Sequence, residues 1–250
     1  MQRVAALYDI HGNLPALEAV MAEVRAADVD ALVVGGDVIP GPMPRECLEL
    51  LQSTGLPTTF IHGNGESAAL AALRGDNLER IPESFREGIR WSAQQLPDEL
   101  VVFISAWPLT ASLHIDGVGE TLFCHATPRN DTELFTRLSP DDRVREMFAG
   151  VESAVTVCGH THMQFDRTVD SLRIVNAGSI GMPFAPPGAY WLLSGPHIEL
   201  RHTTYDPHVA ATRIRLTRFP GADAFGSLVL NPRSEEEMLA SYAAADGRIR

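Results

Sequence analysis

Val4-Ala5-Ala6-Leu7-Tyr8-Asp9-Ile10-His11-Gly12-Asn13 is the stretch that decides the fold. Its apolar half, Val4 to Tyr8, reads as a short buried strand, since an unbroken apolar run suits a strand covered on both faces. The chemistry then changes at once, with a carboxylate, an imidazole and a glycine standing where the strand must turn. Asn13 has an N-capping side chain, and Leu14, Leu17, Met21 and Val24 fall on one face of the helix that follows.

Working outward, the same unit recurs. Ala31 to Val34 is apolar and ends in Gly35-Gly36-Asp37. Cys47 to Leu51 reads as helix. Thr58 to Ile61 reads as a third strand, ending in His62-Gly63-Asn64-Gly65-Glu66. This β-α-β-α-β order implies parallel strands with right-handed crossovers. Ligands of such α/β sheets bind beyond the carboxyl ends of the strands, where these polar residues sit.

Glu66 to Gln95 reads as two helical pieces. The first ends near Gly75, and the second starts after Pro82 with Phe85, Ile89 and Leu96 at helical spacing. Residues 66–100 are therefore expected to form a small helical cap insertion. Val101 to Ile104, Ser112 to Ile115 and Thr121 to Cys124 read as strands. Ser139-Pro140-Asp141-Asp142 opens a helix with Val144, Met147, Phe148 and Val151 inward. Ala154 to Cys158 is a strand ending in Gly159-His160-Thr161-His162. Arg173 to Val175, Ala189 to Leu193 and Ile198 to Thr203 read as further strands. Residues 207–250 read as a helical tail, its last helix opened by a Ser234–Glu237 capping box. With no repeat and no linker, residues 1–250 are read as one domain.

Composition sets limits on function. Hydrophobic residues make up 45% of the 250, enough for a sizeable core. A net charge of −12 without any Lys/Arg run argues against an extended nucleic-acid surface and against a nuclease. Bound metal can still supply the positive charge that a small phosphorylated substrate needs. Cys47, Cys124 and Cys158 are odd in number and scattered, which points to buried thiols in a reducing compartment. Asp9 interrupts the N-terminal apolar run, so no signal peptide is expected. Ile174 to Ile198 lacks Asp, Glu, Lys and Arg, yet its four prolines and four glycines bar a spanning helix. A cytoplasmic protein with no membrane partner is expected.

The candidate chemistry lies in five segments: Asp9-Ile10-His11, Gly36-Asp37-Val38-Ile39-Pro40-Gly41, Gly63-Asn64-Gly65-Glu66, His125-Ala126 and Gly159-His160-Thr161-His162. Each follows an expected strand and offers oxygen or imidazole ligands. Together they suit borderline divalent cations, with Mn²⁺ first and Fe, Zn or Ni as alternatives. Two such cations about 3.5–4 Å apart can stabilise attacking and leaving oxygens together.

From Val4 to about Gly181, this ordered set resembles the calcineurin-like metallophosphoesterases, in particular the branch of bacterial protein phosphatases and diadenosine tetraphosphatases. The resemblance implies an α/β fold of two facing mixed β-sheets sandwiched between helices. It implies one metal on Asp9, His11 and His162, a second on Asn64, His125 and His160, and Asp37 bridging both. A dinuclear metal-activated hydroxide would then hydrolyse a phosphoester or phosphoanhydride bond. One position departs from the pattern. The family has Gly-Asn-His before its acidic residue, with that histidine placed to protonate the leaving group, and here Gly65 stands instead. His62 is a candidate donor, because residues two apart on a strand share a face. Arg129, in His125-Ala126-Thr127-Pro128-Arg129, is a candidate phosphate contact through its guanidinium fork. The catalytic candidates are thus Asp37, Asn64, His125, Arg129 and His62. A missing donor agrees with good leaving groups, as in nucleoside polyphosphates or aryl esters, and the substrate is read as a nucleotide polyphosphate or a phosphodiester. The alternative is a catalytically weak metal-binding regulatory or scaffold protein of the same fold. Glu66 is read as capping or orienting the helix after it. Asn176-Ala177-Gly178-Ser179 resembles a family loop beside the site and equally fits a strand-terminating turn.

Overall fold

The structure, a computed structural model, describes residues 1–246. The opening unit is β1 (Val4–Leu7), α1 (Leu14–Ala26), β2 (Ala31–Val34), α2 (Pro44–Gln52) and β3 (Thr58–Phe60). β1 runs parallel to β2, and β2 to β3. Asn13 caps α1, its side chain accepting from the Ala16 N–H at 3.3 Å. Leu17, Met21 and Val24 form the buried face.

α3 (Asn64–Leu73) and α4 (Glu83–Gln94) follow, and α5 (Asp98–Ser105) stands where Val101 to Ile104 were expected to form a strand. The reason is local. Asp98 and Glu99 complement the helix dipole in the first turn. Leu100 and Ile104, one turn apart, are buried, whereas Val102 is 70% exposed. A four-residue burial period outweighed the β-branched pair. Phe85 also faces outward, at 60% exposure, so only Ile89 and Leu96 of its expected face are buried.

The rest comprises β4 (Thr110–Ile115), β5 (Gly119–Cys124), α6 (Asp141–Met147), β6 (Val155–Cys158), β7 (Phe165–Val169), β8 (Leu172–Asn176), β9 (Ala189–Ser194) and β10 (Ile198–Thr203). β7 had not been read from the sequence, since its interior Asp166-Arg167-Thr168 breaks the apolar run. It is the outer strand of a hairpin with β8. α7 (Pro207–Arg215), α8 (Ala222–Leu230) and α9 (Glu235–Asp246) close the chain. α8 was missed because Gly226 lowers its propensity; packing of Phe225 and Val229 on Ala210 and Ile214 holds it. Ser234 and Glu237 form the expected reciprocal capping box, at 3.0 and 3.2 Å. The last part of the expected tail, residues 247–250, lies outside the described residues.

The strands make two five-stranded sheets, β10-β9-β1-β2-β3 and β4-β5-β6-β8-β7. Both mix parallel and antiparallel pairs. Side chains alternate across each strand. Val4, Ala6, Tyr8 and Val33 pack inward against Phe123, Val155, Val157 and Val175 of the facing sheet. Ala5, Leu7, Leu32 and Val34 pack outward on Leu17, Met21, Leu48 and Ile104 of the helices. On the far side, Cys124, Cys158 and Ile174 meet Val144 and Met147 of α6. The cysteines are buried and free. Among the described residues no helix is long and apolar enough to cross a membrane.

Candidate metal centre

The turns after β1, β2, β5 and β6 are zipped together by backbone hydrogen bonds. The N–H groups of Asp9, His11 and Gly12 donate to the carbonyls of Gly36, Asp37 and Val38 at 3.1, 2.9 and 2.8 Å. Gly159 N–H donates to the His125 carbonyl at 2.8 Å. Ile180 and Gly181 donate to Tyr8 and Asp9 at 3.0 and 2.9 Å, and Ser179 Oγ donates to the Asp9 carbonyl at 2.7 Å. The segment Asn176 to Ser179 therefore packs beside the site as well as ending a strand. Asp9, His11, Asp37, His160 and His162 have φ of 52, 47, 52, 65 and 59°. Residues other than glycine rarely enter this left-handed region. Each such residue costs of order 1–3 kcal/mol, and such strain clusters at functional sites.

The side chains form two adjoining groups. His11 Nε2 and His162 Nε2 lie 3.1 Å apart, with Asp9 Oδ1 at 3.9 and 3.4 Å from them. His125 Nε2 lies 3.0 Å from Asn64 Oδ1, 3.5 Å from Asp37 Oδ1 and 3.9 Å from Asp9 Oδ1. Asp37 Oδ2 faces His11 at 3.7 Å. Asp37 thus presents one oxygen to each group. Asp9 also belongs to both, since Asp9, His11 and His162 on one side, and Asp9, Asp37 and His125 on the other, keep their ligand atoms within 4.8 Å. The resemblance had assigned Asp9 to one metal. His160 stands at the edge, its ring 5.2 Å from that of His125, and its backbone N–H donates to Asp9 Oδ2 at 2.8 Å.

These residues fit a pair of divalent cations. Asp9 Oδ1 is buried and has no hydrogen-bond partner, a costly state for a carboxylate oxygen unless a cation answers it. The imidazoles are anchored from behind, as metal-ligating histidines are. His125 Nδ1 donates to the Gly35 carbonyl at 2.9 Å and His162 Nδ1 to the Met182 carbonyl at 2.7 Å. That tautomer leaves both Nε2 lone pairs facing the centre. The Pro40 and Thr132 backbones face the His11 and His160 imidazoles and favour their charged forms without outweighing burial.

Electrostatics agree. Burial pushes the His11 and His160 imidazoles down to about 3, so both are neutral at pH 7. Burial also disfavours charge on His162, but the adjacent Asp9 carboxylate outweighs it and raises that imidazole. Burial drives the Asp9 carboxyl up, yet His162, His125 and His11 together hold it well below the usual range. Burial and the Asp9 charge push Asp37 well above it. Two carboxylates sharing one site push their titrations apart in this way. Cation binding requires deprotonated carboxylates and neutral imidazoles. Affinity for Mn²⁺ is therefore expected to rise with pH by about tenfold per unit for each proton displaced. Calorimetry in buffers of different protonation enthalpy checks this, and binding with no proton release contradicts it.

Glu66 does more than orient α3. It is fully buried and accepts from the N–H groups of Asp37, Val38, Ile39 and Gly63 at 2.8, 2.9, 3.2 and 2.9 Å. Burial and the Asp37 charge push its carboxyl up to about 7. Glu66→Ala leaves these donors unpaired and is expected to cost at least about 3 kcal/mol, read as a melting temperature roughly 6–12 °C lower. Gly65 completes the cradle. Its N–H donates to Asp37 Oδ1 at 2.6 Å, and a Cβ there would stand 2.0 Å from the Ile39 carbonyl oxygen.

Two expected residues stand apart from this cluster. The strand-alternation argument for His62 does not apply, because β3 ends at Phe60 and Asn64 opens a helix. His62 Nδ1 instead donates to Ser67 Oγ at 3.2 Å, and Ser67 donates to Asp131 at 2.7 Å. Arg129 is half exposed, with its guanidinium held by Glu133 at 2.7 Å and Glu146 at 3.7 Å. The structure answers its charge with carboxylates and does not bring it into the ligand cluster. Ser67, Asp131 and Phe184, which stacks on His162 at 5.1 Å, were not singled out from the sequence. They sit on loops and a helix flank where no periodicity marks them.

Comparison with known proteins follows the same lines. The chain is 26% identical over 196 residues to the uncharacterized protein MJ0912 of Methanocaldococcus jannaschii, covering 72% of this chain and 76% of that one. Its fold is similar to that of the hypothetical protein PH1004 from Pyrococcus horikoshii OT3, with a TM-score of 0.76 at 21% identity over 92% of this chain and 98% of that one. A metallophosphoesterase from Sphaerobacter thermophilus gives 0.70 at 23% identity, with the same 92% and 98% coverage. Residues 2–194 match the model of the calcineurin-like phosphoesterase superfamily domain. These residues include every candidate metal ligand, and the chain belongs to the calcineurin-like phosphoesterase superfamily.

Proposed function

We propose that this chain is a metal-dependent phosphoesterase acting on small phosphorylated compounds, with a nucleotide polyphosphate or a phosphodiester as substrate. The observation that carries the reading is the pair of carboxylates at the centre. Asp9 Oδ1 is buried, unpartnered and shared by both ligand groups, while Asp37 turns one oxygen to each. Asp9, His11 and His162 would hold one cation, Asn64, His125 and His160 the other, with Asp37 between them; Mn²⁺ is the proposed ion, with Fe, Zn or Ni compatible with the same donors. When bound, two divalent cations supply activation of water and neutralisation of charge on phosphoryl oxygens.

The residues of the chain supply positioning. Gly65 and Glu66 fix the Asp37 turn, and α3 points the positive end of its dipole from Asn64 towards the site, which favours phosphate. His62 is the proposed donor to the leaving group. Its Nδ1–H is committed to Ser67, itself committed to Asp131, so a proton for the leaving group would have to come from Nε2 of the charged imidazole, a form that burial disfavours and the Asp131 charge favours. The absence of a side chain at Gly65 supports substrates whose leaving group needs little protonation. The proposed location is the cytoplasm.

The test is hydrolysis of bis(4-nitrophenyl) phosphate by purified protein with Mn²⁺, beside an EDTA-treated sample. Turnover that requires Mn²⁺ supports the reading, and undiminished turnover in EDTA counts against it. Gly65 also favours a second reading, a catalytically weak metal-binding regulatory or scaffold protein. Two bound metals per chain without turnover on any activated ester would select that reading.

A further inference from the structure

Between the 134–140 loop and α9 lies a cavity of about 150 Å³, walled by Leu134, Phe135, Leu138, Pro140, Leu239 and Tyr242. The polar groups of that loop are already engaged. Ser139 Oγ accepts from the Thr136 N–H at 2.9 Å, and Thr136 Oγ1 accepts from the Leu138 N–H at 3.2 Å. Arg167 donates to the carbonyls of Thr136 and Ser139 at 3.1 and 2.9 Å. Apart from the Tyr242 hydroxyl, what remains on the wall is chiefly apolar contact, with Leu138 at 62% exposure among its walls.

One aromatic ring, Phe184, links the cavity wall to the candidate metal centre. The Tyr242 ring lies 6.4 Å from that of Phe184, which in turn stacks on His162 at 5.1 Å. The chain leading into the loop turns the Thr132 backbone towards the His160 imidazole. Burial pushes the Tyr242 hydroxyl up to about 12, so it stays neutral. α9 lies beyond residues 2–194 that match the family model, whereas the 134–140 loop lies within them.

We propose that this cavity seats an aromatic ring carried by the substrate, a nucleobase or an aryl ester arm, while its phosphate lies at the metal centre. The inference rests on the phosphoesterase reading and narrows its substrate class. An apolar cavity of roughly 150 Å³ is large enough for a benzene-sized ring, and Phe135 and Tyr242 give the ring aromatic neighbours. With the polar groups of the loop engaged internally, the wall selects by shape and tolerates different rings.

The experiment is calorimetric binding of phenyl phosphate, adenosine 5′-monophosphate and methyl phosphate to the Mn²⁺-loaded protein. At least one aromatic ligand is expected to bind about fivefold or more tighter than methyl phosphate. Ala243→Phe, at an exposed position of α9 that lines the cavity, fills the space from outside the core, and a melting curve checks its fold. It is expected to bring the aromatic ligands to the affinity of methyl phosphate, with methyl phosphate itself unchanged within about twofold. A preference for adenosine 5′-monophosphate supports a nucleobase, and one for phenyl phosphate an aryl arm. Equal affinities in the wild type, or a preference that survives Ala243→Phe, overturns the proposal. Methyl phosphate reports on the metal centre and ring preference on the cavity. Failure to bind any of the three overturns both readings, whereas ring preference in a protein that turns nothing over removes only the enzymatic one.

Discussion

Asp37→Asn is expected to lower Mn²⁺-dependent turnover by at least about a thousandfold, the effect of losing several kcal/mol of metal-centred stabilisation. The substitution is nearly isosteric. One side-chain oxygen still accepts from the Gly65 N–H, a bond of 2.6 Å in the wild type. The amide NH₂ must then take the place of Oδ2, which faces His11 at 3.7 Å, and so turns two protons towards the position of a cation. The charge common to both ligand groups disappears while the fold persists. Steady-state kinetics on bis(4-nitrophenyl) phosphate, with circular dichroism to verify folding, checks the prediction. A variant within about tenfold of wild type would show that Asp37 does not bridge.

Gly65→His introduces the residue that the resemblance implies at this position, and it is nevertheless expected to lower activity by about a hundredfold or more. The obstacle is backbone. A Cβ at this position meets the Ile39 carbonyl oxygen at 2.0 Å and both Asp37 Oδ1 and Pro40 Cδ at 2.9 Å. The Ile39 peptide cannot move away freely, because its N–H is held by buried Glu66 at 3.2 Å. Overpacking of this kind costs about 1–3 kcal/mol, and a displacement of Asp37 by about 1 Å is worth roughly 10²-fold in rate. Gly65→Ala carries the same Cβ and should share most of the loss. If the alanine variant keeps full activity and the histidine variant gains any, Gly65 is a simple deletion of a proton donor and the steric account is wrong.

The β-α-β-α-β opening and the turns that carry the candidate ligands were legible because apolar runs lead into them, as Val4 to Tyr8 leads into Asp9 and Ala31 to Val34 into Asp37. What the sequence hid is of another kind. The left-handed backbone at Asp9, His11, Asp37, His160 and His162 is imposed by hydrogen bonds between distant turns, and Asp and His carry no unambiguous mark of it. The fourfold cradle of Glu66 looked like a helix cap, because one of its four bonds is one. Arg129 was read from its distance to His125 along the chain, but Glu133, four residues on, captures the fork first. His62 was placed by strand alternation in a segment that turns at Gly63. Val101 to Ile104 had β-branched residues, but the burial of Leu100 and Ile104 one turn apart made a helix. In each case a tertiary partner decided what a local signal left open.

The measurement that bears most directly on the account is a titration of metal-free protein with Mn²⁺, following bound metal and hydrolysis of bis(4-nitrophenyl) phosphate in the same samples. The account predicts two Mn²⁺ bound per chain, magnetically coupled by electron paramagnetic resonance, with turnover that reaches its full value only as the second site fills. Full turnover in the metal-free protein, or binding of two Mn²⁺ that persists unaltered when both Asp9 and Asp37 are replaced by alanine, would contradict it.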